Sequence, residues 1–220
     1  MLETIHIESG SSDQEYQEAW SRLKNVLKST GRIYLNPLPK QEAFSPVEAD
    51  ERALGIREIH NWCSLIEEFV AQGLDTAKTK NLFRYYFDRL GLYVDPSFTE
   101  LIRDGDVVEI YSMDFKRLFF NPELFDYSSY APDEMFSAPF WKLYHRDEAI
   151  TLKIQELVHL FISGEKKAPF VPDIPRHLVT EIKSEKQYSC EVDIKVLAPV
   201  YLGRALVGAA AIEKLKLVLS

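Results

Sequence analysis

Through the first hundred residues the apolar positions recur every three or four places, the period of a helix that buries one face. Tyr16, Ala19/Trp20, Leu23 and Val26/Leu27 form one such stripe, opened by the capping-box pair Ser12 and Glu15 and stopped by Gly31. A loop carrying Asn36-Pro37 and Pro39 leads to Ser45-Pro46-Val47-Glu48, which supplies an N-cap, a first-turn proline and a capping glutamate together. From there a long helix is predicted to Gly73, with Ala53, Ile56, Ile59/His60, Cys63, Ile66/Glu67 and Val70 along one side and Gly55 in its interior. This stripe suits either pairing with a second copy or packing inside the chain. Asp75 or Thr76 is expected to cap a third helix, whose Leu82/Phe83, Tyr86/Phe87 and Leu90 make a bulky stripe before Gly91. Asp95-Pro96 starts a short fourth helix that ends at the turn signal Asp104-Gly105.

After residue 105 the period changes. Asp106 to Ser112 reads as a strand with Val108 and Ile110 on one face, followed by a second strand at Leu118 to Phe120 that Asn121-Pro122 ends. Glu123 to Glu148 mixes turns with short helical pieces, and Ile150 to Ser163 is a helix with Ile150, Ile154, Leu157/Val158 and Phe161 on one face. Lys166 to Pro175 holds three prolines and is a loop. Tyr188, Cys190, Val192, Ile194 and Val196 then alternate with polar residues, the pattern of an antiparallel strand with one face buried against the Leu157/Phe161 helix. Arg176 to Lys183 and Arg204 to Leu215 are its predicted neighbours. The expected class is α+β, with a helical segment over 1–97 and a sheet domain over 98–220.

Composition narrows the function. The chain has 220 residues and a formal charge of −8, divided as −5 over 1–104 and −3 over 105–220. Neither half offers the basic surface that binding to nucleic-acid phosphates requires. The N-terminus lacks the basic and apolar regions of a signal peptide, and the longest apolar run, Ala205 to Ile212, is too short to span a bilayer. No membrane association and a cytoplasmic location are therefore expected. Cys63 and Cys190 fall on apolar positions and read as free, buried thiols.

The order of strands and helices after residue 105, together with three short segments, resembles the PAS family of sensor domains. Phe119-Phe120-Asn121-Pro122 is similar to the end of the second PAS strand. Tyr127-Ser128-Ser129-Tyr130-Ala131-Pro132-Asp133-Glu134-Met135 is similar to the family's glycine-tyrosine-serine stretch. Leu143-Tyr144-His145-Arg146-Asp147-Glu148 resembles the histidine-proline-glutamate-aspartate turn that follows it. Phe125-Asp126, where many members have an apolar residue and glycine, and Arg146, in place of proline, depart from the pattern. The resemblance covers residues 98–216. It implies a five-stranded antiparallel sheet packed on short helices, a cavity between them for a small-molecule ligand, a homodimer, and a regulatory role. That role includes control of transcription through a partner or a further C-terminal domain of the LuxR type.

Candidate chemistry is sparse. The resemblance makes His159 the single candidate cofactor ligand, because haem-binding relatives use a histidine on the equivalent helix. No second ligand accompanies it, and no cofactor is expected. His145 is expected to bond within its turn, and His60 has no kinase domain beside it to make it a phosphoacceptor. Light-sensing relatives need an asparagine-cysteine-arginine motif that neither cysteine occupies. The five histidines form no i, i+4 pair, no C-x-x-C occurs, and no metal site is expected. Glu67-Glu68, Asp133-Glu134 and Asp147-Glu148 read as solvated surface.

No catalytic residue is expected. The competing reading is a small-molecule-binding enzyme or carrier on an α+β cone fold, which needs a buried carboxylate of perturbed pKa facing its cavity. Glu191 and Asp193 lie on the outward face of their strand and do not meet that need. Strand order separates the two readings: in the PAS arrangement the first two strands stand at the sheet centre beside the last one, whereas helices preceding every strand mark the cone.

Overall fold

The computed structural model describes residues 13–32, 49–130, 132–182 and 188–218. The caps expected at Ser12 and at Ser45-Pro46 lie outside them. Three helices come first: α1 (Asp13–Ser29), α2 (Ala49–Ala71) and α3 (Thr79–Leu90). A two-residue strand β1 (Leu92–Tyr93) and α4 (Pro96–Leu101) lead into the β2–β3 hairpin (Val107–Ser112 and Arg117–Phe120). A 3-10 turn at Pro122–Asp126, α5 (Pro132–Ser137), α6 (Phe140–Leu143) and β4 (Tyr144–Arg146) follow. Then come α7 (Glu148–Ile162), β5 (His177–Glu181) and the long pair β6 (Ser189–Leu202) and β7 (Ala205–Val218). Asp75, expected to cap α3, instead accepts from the Ala77 amide in the turn before it, and the helix begins at Thr79.

The sheet is curled and antiparallel, in the order β3-β2-β7-β6-β5-β4, with β1 paired to the end of β6. It has seven strands rather than five. The two extra strands are two and three residues long, too short for alternation to appear in the sequence. The first long strand, β2, lies beside the last, β7, and β3 is at the edge.

Both faces of the sheet are covered. Register places Val107, Glu109 and Tyr111 of β2 on the same face as Glu213, Ala211 and Ala209 of β7. That face meets α7, whose Phe161 is buried with Val192, Ile194, Leu197 and Ala211 and flanked by Ile154 and Leu157. The alternation expected over Tyr188 to Val196 holds through Cys190, Val192 and Ile194. A bulge between Ile194 and Val196 then turns Val196 to the opposite face, where it joins Ala198 and Val200 in the second core. Tyr188 precedes the strand and is half-buried.

That second core continues into the N-terminal helices. α3 lays Phe83 and Tyr86 against Phe119. In α2, Trp62 packs on Phe120 and Phe125 and donates its indole N–H to the Phe120 carbonyl at 2.9 Å. Ile56, Ile59, Cys63, Ile66 and Phe69 are buried in the same cluster as residues of α1, α3 and the sheet, so the α2 stripe packs within the chain. A homodimer, if formed, uses another face. The 97/98 boundary falls inside α4, and one core spans both sides of it.

Gly55 explains why α2 tolerates a helix-weakening residue. A Cβ at this position would stand 2.4 Å from the carbonyl oxygen of Asp133 in α5, so the two helices approach as closely as they do only because position 55 lacks a side chain. Gly55→Ala is expected to destabilise the protein by about 1–3 kcal/mol, the range for overpacking a well-filled core, although alanine is the better helix former. Equilibrium urea unfolding measures this; unchanged or increased stability would show that α2 and α5 do not meet in this way.

Candidate functional site

A cavity of about 330 Å³ lies between the α7-covered face of the sheet and the segment α6–β4–α7. Ala209 and Ala211 of β7 line its floor, and because their side chains are so short the space above the strand stays open. Ile194 and Leu197 of β6 and Ile154 and Val158 of α7 give it apolar walls. Phe140 and Tyr144 stack on each other at 4.9 Å, and Tyr111 meets Phe140 edge-on. The exposed lining residues Trp141, His145, Glu148 and Gln155 mark its solvent side. There the β2–β3 turn closes over α6. Phe115 meets Trp141 edge-on at 5.6 Å, and its carbonyl accepts from the Phe140 amide at 3.3 Å. Phe115 holds a left-handed backbone, φ 62°, a conformation that costs a non-glycine residue about 1 kcal/mol or more.

The segments singled out in the sequence are the fixtures of this architecture. Asn121, fully buried, accepts from the Val108 amide at 2.9 Å and donates to the Asp106 carbonyl at 2.8 Å, pinning the end of β3 to the start of β2. Ser128 and Ser129 bind the buried carboxylate of Glu181 on β5. The Ser129 amide donates at 2.6 Å, both hydroxyls donate to it, and the Tyr188 amide adds a bond at 3.1 Å. Tyr144 bonds Ser128 in turn. Asp147 caps α7 by accepting from the Ala149 and Ile150 amides. That cap aims the first turn of α7 at the cavity.

Beside the apolar walls stands a buried ionic group. Arg117 of β3 donates its Nε–H to Glu109 of β2 at 2.5 Å, with side chains 2% and 3% exposed. Its guanidinium lies 5.4–6.0 Å from the ring centres of Tyr111, Phe140 and Tyr144. Glu213 of β7 lines the cavity next to this pair. Burial and the neighbouring Glu109 push its carboxyl up to about 8, against the pull of Arg146 and Arg117. Arg146 of β4 also lines the cavity. Its guanidinium stacks at 4.2 Å on Phe140. Burial lowers its pKa, and Glu213 is the largest influence in the other direction.

His159, the candidate cofactor ligand, sits on the exposed side of α7 and does not line the cavity. His145 is exposed at the solvent side and pairs across the sheet with Thr180, and the capping in its turn is done by Asp147. His60 receives Arg22 at 3.3 Å on the α1–α2 surface. Both cysteines are buried and unbonded to each other, and burial pushes each thiol up to about 12, which makes them poor nucleophiles. Among the described residues no group of histidine, cysteine and carboxylate side chains is arranged to hold a metal, and no helix is long and apolar enough to cross a membrane.

The acidic pairs are not uniformly solvated. Glu67 binds Arg22 of α1 while Glu68 binds Arg89 of α3, so adjacent acids tie α2 to two different helices. Asp133 and Glu134 are each 1% exposed, because α2 covers α5.

No family model matches the chain, and no curated protein matches its sequence.

Proposed function

We propose that this chain is a PAS-like sensory module that binds a small molecule between α7 and the sheet and has no catalytic role. The observation that carries the reading is the 330 Å³ cavity with its alanine floor, near the lower end of the range for small-molecule sites. Strand order supports it in part: β2 takes the expected central place beside β7, while β3 lies at the edge, and β2–β3 and β6–β7 are direct hairpins. Helices do not precede every strand, as the cone reading expects: β3 follows β2 and β7 follows β6 directly. Glu213 is a buried carboxyl of raised pKa at the cavity wall, as the enzyme reading requires, but Arg146 and the Arg117–Glu109 ion pair beside it favour an ionic scaffold over an acid–base pair. The relay to transcription, through a partner or a further domain, rests on the family resemblance alone.

Fragment screening by thermal shift on the full chain tests the binding role, with Ala209→Phe as the control that fills the cavity from its floor. Compounds are expected to stabilise the wild-type protein and to lose their effect on the variant. The reading fails if no compound binds, or if the filled variant binds equally well.

A further inference from the structure

Several other arginines are paired with carboxylates: Arg22 with Glu67, Arg32 with Glu123 and Asp126, Arg84 with Glu100, Arg89 with Glu68, and Arg117 with Glu109. Arg146 differs. Its side chain makes no hydrogen bond and no ion pair with any described residue, and its buried Nε has no partner. It nevertheless stands at the wall of an apolar cavity, its guanidinium carbon 4.2 Å from the centre of the Phe140 ring. A guanidinium carries its N–H groups in a fixed planar fork that a planar carboxylate can accept in a two-pronged bond, and here its buried Nε–H is left without an acceptor. Arg117, on the same face of the sheet, also has a buried Nη1 without a partner.

We propose that the cavity takes a small organic monoanion, a carboxylate carried on an apolar or aromatic body, with Arg146 as its counter-ion. The inference rests on the binding role proposed above and names the ligand class. Leaving a buried guanidinium N–H without an acceptor is costly, and a bound carboxylate would supply one. The body of the ligand would lie against Ile154, Val158, Ile194 and Leu197, with the alanine floor beneath it. A second negative charge is disfavoured, because the Glu109 carboxylate already flanks the arginines and would repel it. A cation would face Arg146 directly.

Isothermal titration of the full chain with three isosteric probes, phenylpropanoate, phenylpropanamide and phenylpropylamine, tests the charge preference; hexanoate and hexanamide repeat it on an aliphatic body. The wild-type protein is expected to bind each acid at least about tenfold more tightly than its amide, the scale of one charge-assisted contact, and not to bind the amine. Arg146→Gln is expected to remove that preference while leaving amide binding in place, and Arg146→Lys to restore part of it. Equal binding of acid and amide by the wild-type protein overturns the anion inference and leaves the binding role standing. Acid binding that survives unchanged in Arg146→Gln also overturns it, by placing the anion elsewhere. If no probe of any charge binds, the monoanion inference falls, and the fragment screen decides the binding role separately.

Discussion

Replacing Arg117 with methionine is expected to cost the fold about 3–5 kcal/mol, the loss seen when one member of a buried ion pair is removed. The magnitude follows from what stays behind. Glu109, 3% exposed at its side chain, would keep its position beside Glu213 without the guanidinium that bridges to it at 2.5 Å. Methionine fills much of the volume among Tyr111, Phe140 and Tyr144, so lost packing is the smaller part of the effect. The double variant Arg117→Met/Glu109→Leu separates the two contributions: with both charges gone, most of the loss should be recovered. Guanidinium unfolding of the four proteins in the cycle gives the answer. A loss below about 1 kcal/mol for Arg117→Met, in the range of an exposed pair, would show that the pair is not buried as described.

The second large effect is a dependence on pH. In the unfolded chain Glu213 releases its proton near its ordinary value of 4.5, whereas in the folded protein it holds the proton up to about 8. Between these limits the folded state binds a proton that the unfolded state has lost, so stability falls as pH rises, by at most about 1.4 kcal/mol per pH unit. Below about 4.5 both states are protonated and Glu213 adds no slope; above about 8 the full penalty is present. Glu213→Gln removes the titrating group and keeps a neutral side chain of the same shape. Its stability relative to wild type is expected to rise steadily across that window, as read from urea unfolding at a series of pH values. A difference between the two proteins that does not change with pH would mean that Glu213 titrates normally.

Much of the element order was legible because it depends on local chemistry. Helical spacing, the Asp95-Pro96 start and the period-two run around Val192 are properties of neighbouring residues, and α4, α7, β2, β3 and β6 appear where those signals lie. The alternation failed at one bulged position in β6, since a bulge is fixed by the partner strand. The charged residues of the site were not legible for a different reason. Glu109 alternates with Val108 and Ile110, and Glu213 follows the apolar run of β7, positions that a half-buried strand would turn to solvent. That inference assumes a sheet with one wet face. Here helices cover both faces: Arg146 and Glu213 line the cavity, and the Arg117–Glu109 pair is buried beside it. Arg146 was noticed in the sequence only as a departure from the family's turn, where proline is usual. The departure places an arginine at the wall of the pocket.

The bulge in β6 has a mechanical consequence. Ile194 touches the cavity side of the sheet and Val196, two positions on, touches the core shared with the helices. The sheet at this point is one strand thick, so a ligand pressing on Ile194 and Leu197 bears on the same backbone that seats Val196, Ala198 and Val200. Occupancy of the pocket and the seating of the N-terminal helices are thus two readings of one strand's position, communicated through the thickness of a single peptide chain rather than along a path of side chains.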